Sequence, residues 1–114
     1  MTNFINFKKL YNNDQIFNIF ITQCDDITQS IHSIKKFNEK EIIFINNITK
    51  DITNKYNIVN NIKLKHSLIN SIISELKLYF NINEYNFNDF SFDFIDCLIS
   101  LNNNLKYLVE KEAN

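Results

Sequence analysis

Asp89, Asp93 and Asp96 stand four and then three residues apart, so a helix through them carries all three on one acidic stripe, continued by Ser100 and Asn103. Carboxylates in such a row can ligate a cation or dock a basic partner. Acids in the opening turns of a helix also complement its dipole, and a soluble helix needs a polar face. The second reading needs no ligand, and no metal or cofactor is expected. His32 and His66 are the only imidazoles. Neither has an acid or cysteine at helical spacing to make a ligand pair, and His66 lies close to Lys63 and Lys65 without a sequence-local carboxylate. Asp25 and Asp26 point to different faces of a helix, so they form no catalytic dyad. Cys24 and Cys97 sit in apolar helical patterns without Cys-x-x-Cys spacing, which makes buried free thiols in a reducing compartment the expectation. No nucleophile and base are brought together, and the expected function is not enzymatic.

Composition narrows the function further. The chain has 114 residues, no Gly, Pro, Trp or Arg, and one Ala, Ala113. Without Gly there is no glycine-rich phosphate loop, dinucleotide fingerprint or nucleophile elbow, each of which needs backbone geometry that Gly alone supplies cheaply. The favoured residues, Asn, Ile, Phe and Lys, have A/T-rich codons, which suggests an A/T-rich genome such as that of a large virus, a phage or an organelle. A net charge of −1 and the missing Arg argue against nucleic-acid binding, which rests on clustered cations and bidentate guanidinium contacts. Charge is uneven: Lys35 to Lys65 carries +4, and the chain from Ser67 onward carries −4. Two oppositely charged regions allow complementarity within or between molecules. No run is long enough for a membrane span, and the N-terminus has no signal-peptide core, so the expected location is the cytoplasm. Asn47-Ile48-Thr49 matches a glycosylation sequon, discounted for want of that signal.

The elements that must position these residues read as helices in a single domain, residues 1–114. Phe4, Phe7, Leu10 and Tyr11 give a short first helix that stops at Asn12 and Asn13. Asp14 then caps a helix from Gln15 to Phe37, on which Phe20, Cys24, Ile27, Ile31 and Ile34 alternate steps of four and three. Asn38 interrupts it, and Glu39 to about Asn57 continues with Ile42, Ile45, Ile48, Ile52 and Tyr56 on one face. The cluster Ile42 to Ile45 also fits a short buried strand. Asn60 and Asn61 make the next break in the manner of a left-handed helix end.

Leu64 to Phe80 is the least charged long segment, with a broad apolar face on one side. Ser67, Ser71 and Ser74 lie on another face, where small side chains let a second helix come close. Between residues 79 and 94 the alternation of Tyr and Phe also fits a small β-hairpin. A loop followed by a helix from Asp89 to the end fits better, with Asn102 to Asn104 as a potential kink. The fold class is therefore all-α, a compact bundle of about five amphipathic helices. Its core is expected to contain Phe20, Ile27, Ile31, Ile45, Ile52, Leu68, Ile72, Leu76, Phe94, Leu98 and Leu101.

Two resemblances attach to particular stretches. Ser91-Phe92-Asp93-Phe94-Ile95-Asp96, followed by CLISLNNNL, is similar to the segment of acyl carrier proteins in which a Ser opens the second helix and carries phosphopantetheine. The resemblance implies Ser91 as the attachment site, with Asp93 and Asp96 in the acidic recognition helix; the family's Asp before the Ser is Phe90 here. More broadly, the apolar Leu64–Phe80 helix and a last helix opening FNDFSFDFIDCLISL resemble the small Bcl-2-like proteins of poxviruses. That resemblance implies a non-catalytic modulator of host apoptosis or innate signalling that works through an apolar groove. The family's groove Gly and Arg have no counterpart.

The function expected from the residues is a small protein-interaction module, in a viral or phage setting, that presents a helical surface to a protein partner or to itself. Tyr79, Tyr85, Phe87, Phe90 and Phe92 are the expected interaction surface, because so many aromatic side chains outside a clear core pattern call for burial or a partner.

Overall fold

The computed structural model describes residues 6–80 and 87–113, with the side chains of 34, 79, 80 and 87–92 outside that description. A 3₁₀ turn, Phe7–Leu10, is followed by four α-helices: α1 Gln15–Ile34, α2 Glu39–Ile58, α3 Ile62–Phe80 and α4 Phe87–Ala113. No strand occurs among the described residues. Two expectations are corrected here. The first helix is a single 3₁₀ turn whose Phe7 is fully buried, so four α-helices stand where about five were expected. The hairpin near 79–94 is replaced by helix at 79–80 and 87–94, and residues 81–86 lie outside the description.

The helices begin and end on side chains rather than on Gly. Asp14 caps α1 by accepting from the amides of Ile16 and Phe17. Asn38 caps α2 in a reciprocal box: its side chain accepts from Glu41 N at 2.8 Å, and Glu41 accepts from Asn38 N at 3.0 Å. Asn61 Oδ1 accepts from Leu64 N at 3.1 Å at the start of α3. The left-handed end expected at Asn60 and Asn61 is not formed, since no described residue has positive φ. Instead the Glu112 carboxylate, from the last turn of α4, accepts from the Asn60 and Asn61 amides at 2.9–3.1 Å. Helix α1 ends at Ile34, three residues before the expected Phe37. Phe37 turns back into the core, its ring stacks on His32, and its amide donates to His32 Nδ1 at 3.3 Å. That contact needs a bend the helix period does not show.

Burial along α2 confirms helix over strand at Ile42–Ile45, because Ile45 and Ile48 are buried while Ile43 and Phe44 face out. Helix α4 runs unbroken for 27 residues, without the potential kink at Asn102 to Asn104, and Asn102 accepts from Lys55 Nζ at 2.9 Å. The main helix contacts are α2 on α4, α1 on α3 and α3 on α4, and the ring of Tyr56 brings α2 against Phe17 of α1. Lys55 meets Asn102 and Asn60 meets Glu112, so α2 and α4 run in the same direction.

One continuous core joins all four helices and the 3₁₀ turn. Every residue expected there is buried except Leu68, which packs half-exposed against it. Three threonines share the interior, Thr28, Thr49 and Thr53, and each returns its hydroxyl to the carbonyl four residues back at 2.7–2.8 Å.

Cys24 and Cys97 are free and buried. Burial pushes the Cys24 thiol well up, helped by the nearby charges of Cys97 and Asp25. Burial, with the charge and hydrogen bond of Glu75 and the charges of Asp93 and Asp96, pushes Cys97 up to about 12. A thiol held protonated is a poor nucleophile. Both should be alkylated at pH 8 on the order of a hundredfold more slowly in the folded protein than in urea, as measured by iodoacetamide labelling and intact mass. Labelling of native protein at the unfolded rate would contradict this packing.

Candidate functional site

The polar side chains converge at the end of the bundle where α1 begins, α2 ends and α3 begins. Asn12 prepares the position. Its Oδ1 accepts from Asp14 N at 2.7 Å, its side-chain amide reaches Asn57 on α2 at 3.0 Å, and its backbone exchanges two hydrogen bonds with the Asn18 side chain at 3.0 and 2.8 Å. Tyr11 adds a hydroxyl contact with Thr22 at 2.7 Å.

Asp14 is thereby fixed with both carboxylate oxygens in use. Oδ1 accepts from Ile16 N at 3.0 Å and Phe17 N at 3.1 Å, while Oδ2 accepts from the Tyr56 hydroxyl at 2.6 Å and meets His66 Nε2 at 2.7 Å. The Tyr56 ring is fully buried against Phe17, with centroids 4.6 Å apart. Lys65 Nζ sits 4.5 Å over the same ring and donates to Tyr56 O at 3.3 Å.

The electrostatics follow from this geometry. Burial raises the Asp14 pKa, but the hydrogen bonds from Tyr56, His66 and the Phe17 amide, with the His66 charge, outweigh it and hold the group at about 2. Burial pushes the Tyr56 phenol up, reinforced by its bond to Asp14 and that carboxylate's charge. A phenol so held is a hydrogen-bond donor, not a base or nucleophile. The side chains of His66 and Asp14 keep 30% and 20% of their surface exposed, on an open groove of about 520 Å³ walled by Ile16 and Ile62. The arrangement chemically suits a charged junction that joins three helix ends.

The residues singled out from sequence lie elsewhere. Asp93 is half-buried and Asp96 exposed on α4, and the Asp89 side chain lies outside the described residues. Among the described residues no group of three or more His, Cys, Asp or Glu could hold a metal. Tyr79, Phe87 and Phe90, with Phe92, fall on helical backbone at the end of α3 and the start of α4, and their side chains, like the whole of Tyr85, lie outside the description. Ser91 stands within α4, past its first turn. His32 is taken up by its contact with Phe37, and Asp25 by Gln29 at 3.1 Å. The sequon lies in mid-α2, where the Thr49 hydroxyl is buried on Ile45 O.

The Asp14–His66 pair escaped the sequence reading because 52 residues separate its members. The only local signal was the cap role of Asp14. No described helix is long and apolar enough to cross a membrane. Compared with protein-family models, with curated proteins and with solved structures, the chain matches none.

The low Asp14 pKa fixes a sign. A carboxyl lowered from 3.8 to about 2 contributes stability that is present above about pH 4 and lost as pH falls toward 2. Nearly two units correspond to about 2.4 kcal/mol, and partial exposure reduces this to about 1–2 kcal/mol. Asp14→Asn keeps the cap acceptor but removes the charge. It should lower urea stability by that amount at pH 7, and the gap to the wild type should close near pH 2. A gap that stays constant with pH would refute the ionic role.

Proposed function

We propose that this chain is a small non-catalytic interaction module that presents a helical surface to a protein partner or to a second copy of itself. The observation that carries the reading is the outer face of α3. Leu64, Ser67, Ser71, Ser74 and Leu78 follow one another at helical spacing, and all are exposed. Leu78 is 64% exposed. Lys63 and Lys77 fall to one side of this lane and Glu75 to the other, so the lane itself carries no charge.

An outward helix face in water is normally charged. A lane of serines bounded by leucines suits the close approach of another helix, because small side chains shorten the distance between axes. The lane leads in sequence straight into Tyr79, and we assign the aromatic residues Tyr79, Tyr85, Phe87, Phe90 and Phe92 to the same surface. The acidic Asp89, Asp93 and Asp96 would border it.

The setting we infer is a reducing cytoplasm, that of a host if the source is viral. Two free buried thiols support it. The A/T-rich codon preference behind the Asn, Ile and Lys content supports a viral or phage accessory role.

Ser71→Lys and Leu78→Lys test the lane. Both positions are exposed, so each should shift folding stability by no more than about 0.5 kcal/mol. The wild type should retain one stoichiometric partner from source-cell lysate, or run at a multiple of its monomer mass by light scattering. Each variant should lose at least tenfold of that association. A wild type that stays alone and monomeric, or variants that associate undiminished, would overturn the proposal.

A further inference from the structure

We propose that the side of the bundle formed by α1 and α3 packs against the same side of a second copy, with both copies pointing the same way and α1 of each lying on α3 of the other. This rests on reading the α3 lane as an interface and names its occupant. The two helices run parallel: Asp14 meets His66 at their first turns, and farther along Ile19, Gln23 and Lys77 line one open groove between them. Positions 52 apart in sequence, like Asp14 and His66, therefore stand at about the same height.

That register sets bulkier side chains on one helix level with small ones on the other. Gln15, Ile19 and Thr22, exposed on α1, stand level with Ser67, Ser71 and Ser74, exposed on α3. A two-fold axis along the bundle keeps both copies at one height, so each α1 offers its larger side chains to the serines of the facing α3. The two surfaces complement each other in shape.

Charge decides the orientation. Among the described residues of α1 and α3 the exposed charges are Asp26, Lys63 and Lys77. Asp26 and Lys77 are nearly level by the same register, and the axis along the bundle brings Asp26 of each copy to Lys77 of the other. Opposite charges meet twice. An axis across the helices would instead lay α3 antiparallel on α3, with Lys63 of each copy beside Lys77 of the other. Like charges oppose that arrangement.

The area is sufficient. Helices of 20 and 19 residues are about 30 Å long and about 10 Å wide, so this side presents about 600 Å². Two such sides bury about 1,200 Å², the lower end for a stable interface.

The test is the mass of the full chain by sedimentation equilibrium at low ionic strength. The wild type should reach the dimer mass at high micromolar concentration. Asp26→Lys and Lys77→Glu each turn two attractive contacts into repulsive ones, and each should weaken the dimer about tenfold. The double variant exchanges both charges and should return to within about threefold of the wild type. Equal urea midpoints for the four proteins will separate these effects from a loss of folding. Single variants that dimerise undiminished, or a double variant no tighter than the singles, would overturn the proposal. A wild type that stays monomeric yet holds a stoichiometric partner from lysate would overturn it too, while leaving the α3 lane as an interface.

Discussion

Asp14 gathers four hydrogen-bond donors from three helices onto one carboxylate. Two are the amides that any N-cap satisfies, and they come from α1 itself. The other two arrive from Tyr56, near the end of α2, and His66, near the start of α3. Hydrogen bonds to a charged group are stronger than neutral ones, about 1.5–3 kcal/mol each when well formed. The carboxylate therefore does more than start a helix: it fixes where three helices meet. Tyr56 couples this polar junction to the interior, because its ring lies in the core against Phe17 while its hydroxyl reaches Asp14.

The same device recurs throughout a chain that has neither Gly nor Pro. Helix ends leave unsatisfied amides and carbonyls, and Gly usually resolves them by entering the left-handed region. Here side chains do the work. Asn38 and Glu41 close the start of α2, Asn61 caps α3, and Glu112 crosses from α4 to hold the amides of Asn60 and Asn61. The high Asn content thus has a structural use, since a short amide side chain can either donate or accept at a helix end. Asn12 does both, toward Asn57 and from Asp14.

What could be read from the sequence was whatever repeats along one helix. The four-and-three spacing of Phe20, Ile27 and Ile31, or of Phe94, Leu98 and Leu101, located buried faces directly, because burial follows the helix period. Leu68 lies at the margin of a face, where period alone cannot separate core from rim. Helix α1 ends three residues before its apolar period does, because the return of Phe37 to His32 is a local bend with no periodic trace. The junction itself was the least legible part. Tyr56 reads as one more apolar position on α2, and His66 has no carboxylate near it in sequence. Their shared partner lies 42 and 52 residues away.

If the junction is a unit, its members must act together in folding. A double-mutant cycle on Asp14→Ala and Tyr56→Phe, read by urea denaturation at pH 7, tests this directly. The 2.6 Å contact predicts that the two losses fall short of additivity by about 1–2 kcal/mol, because removing either partner already breaks the bond. Losses that add to within about 0.3 kcal/mol would mean that Asp14 caps α1 alone and that Tyr56 stabilises the bundle only through its ring.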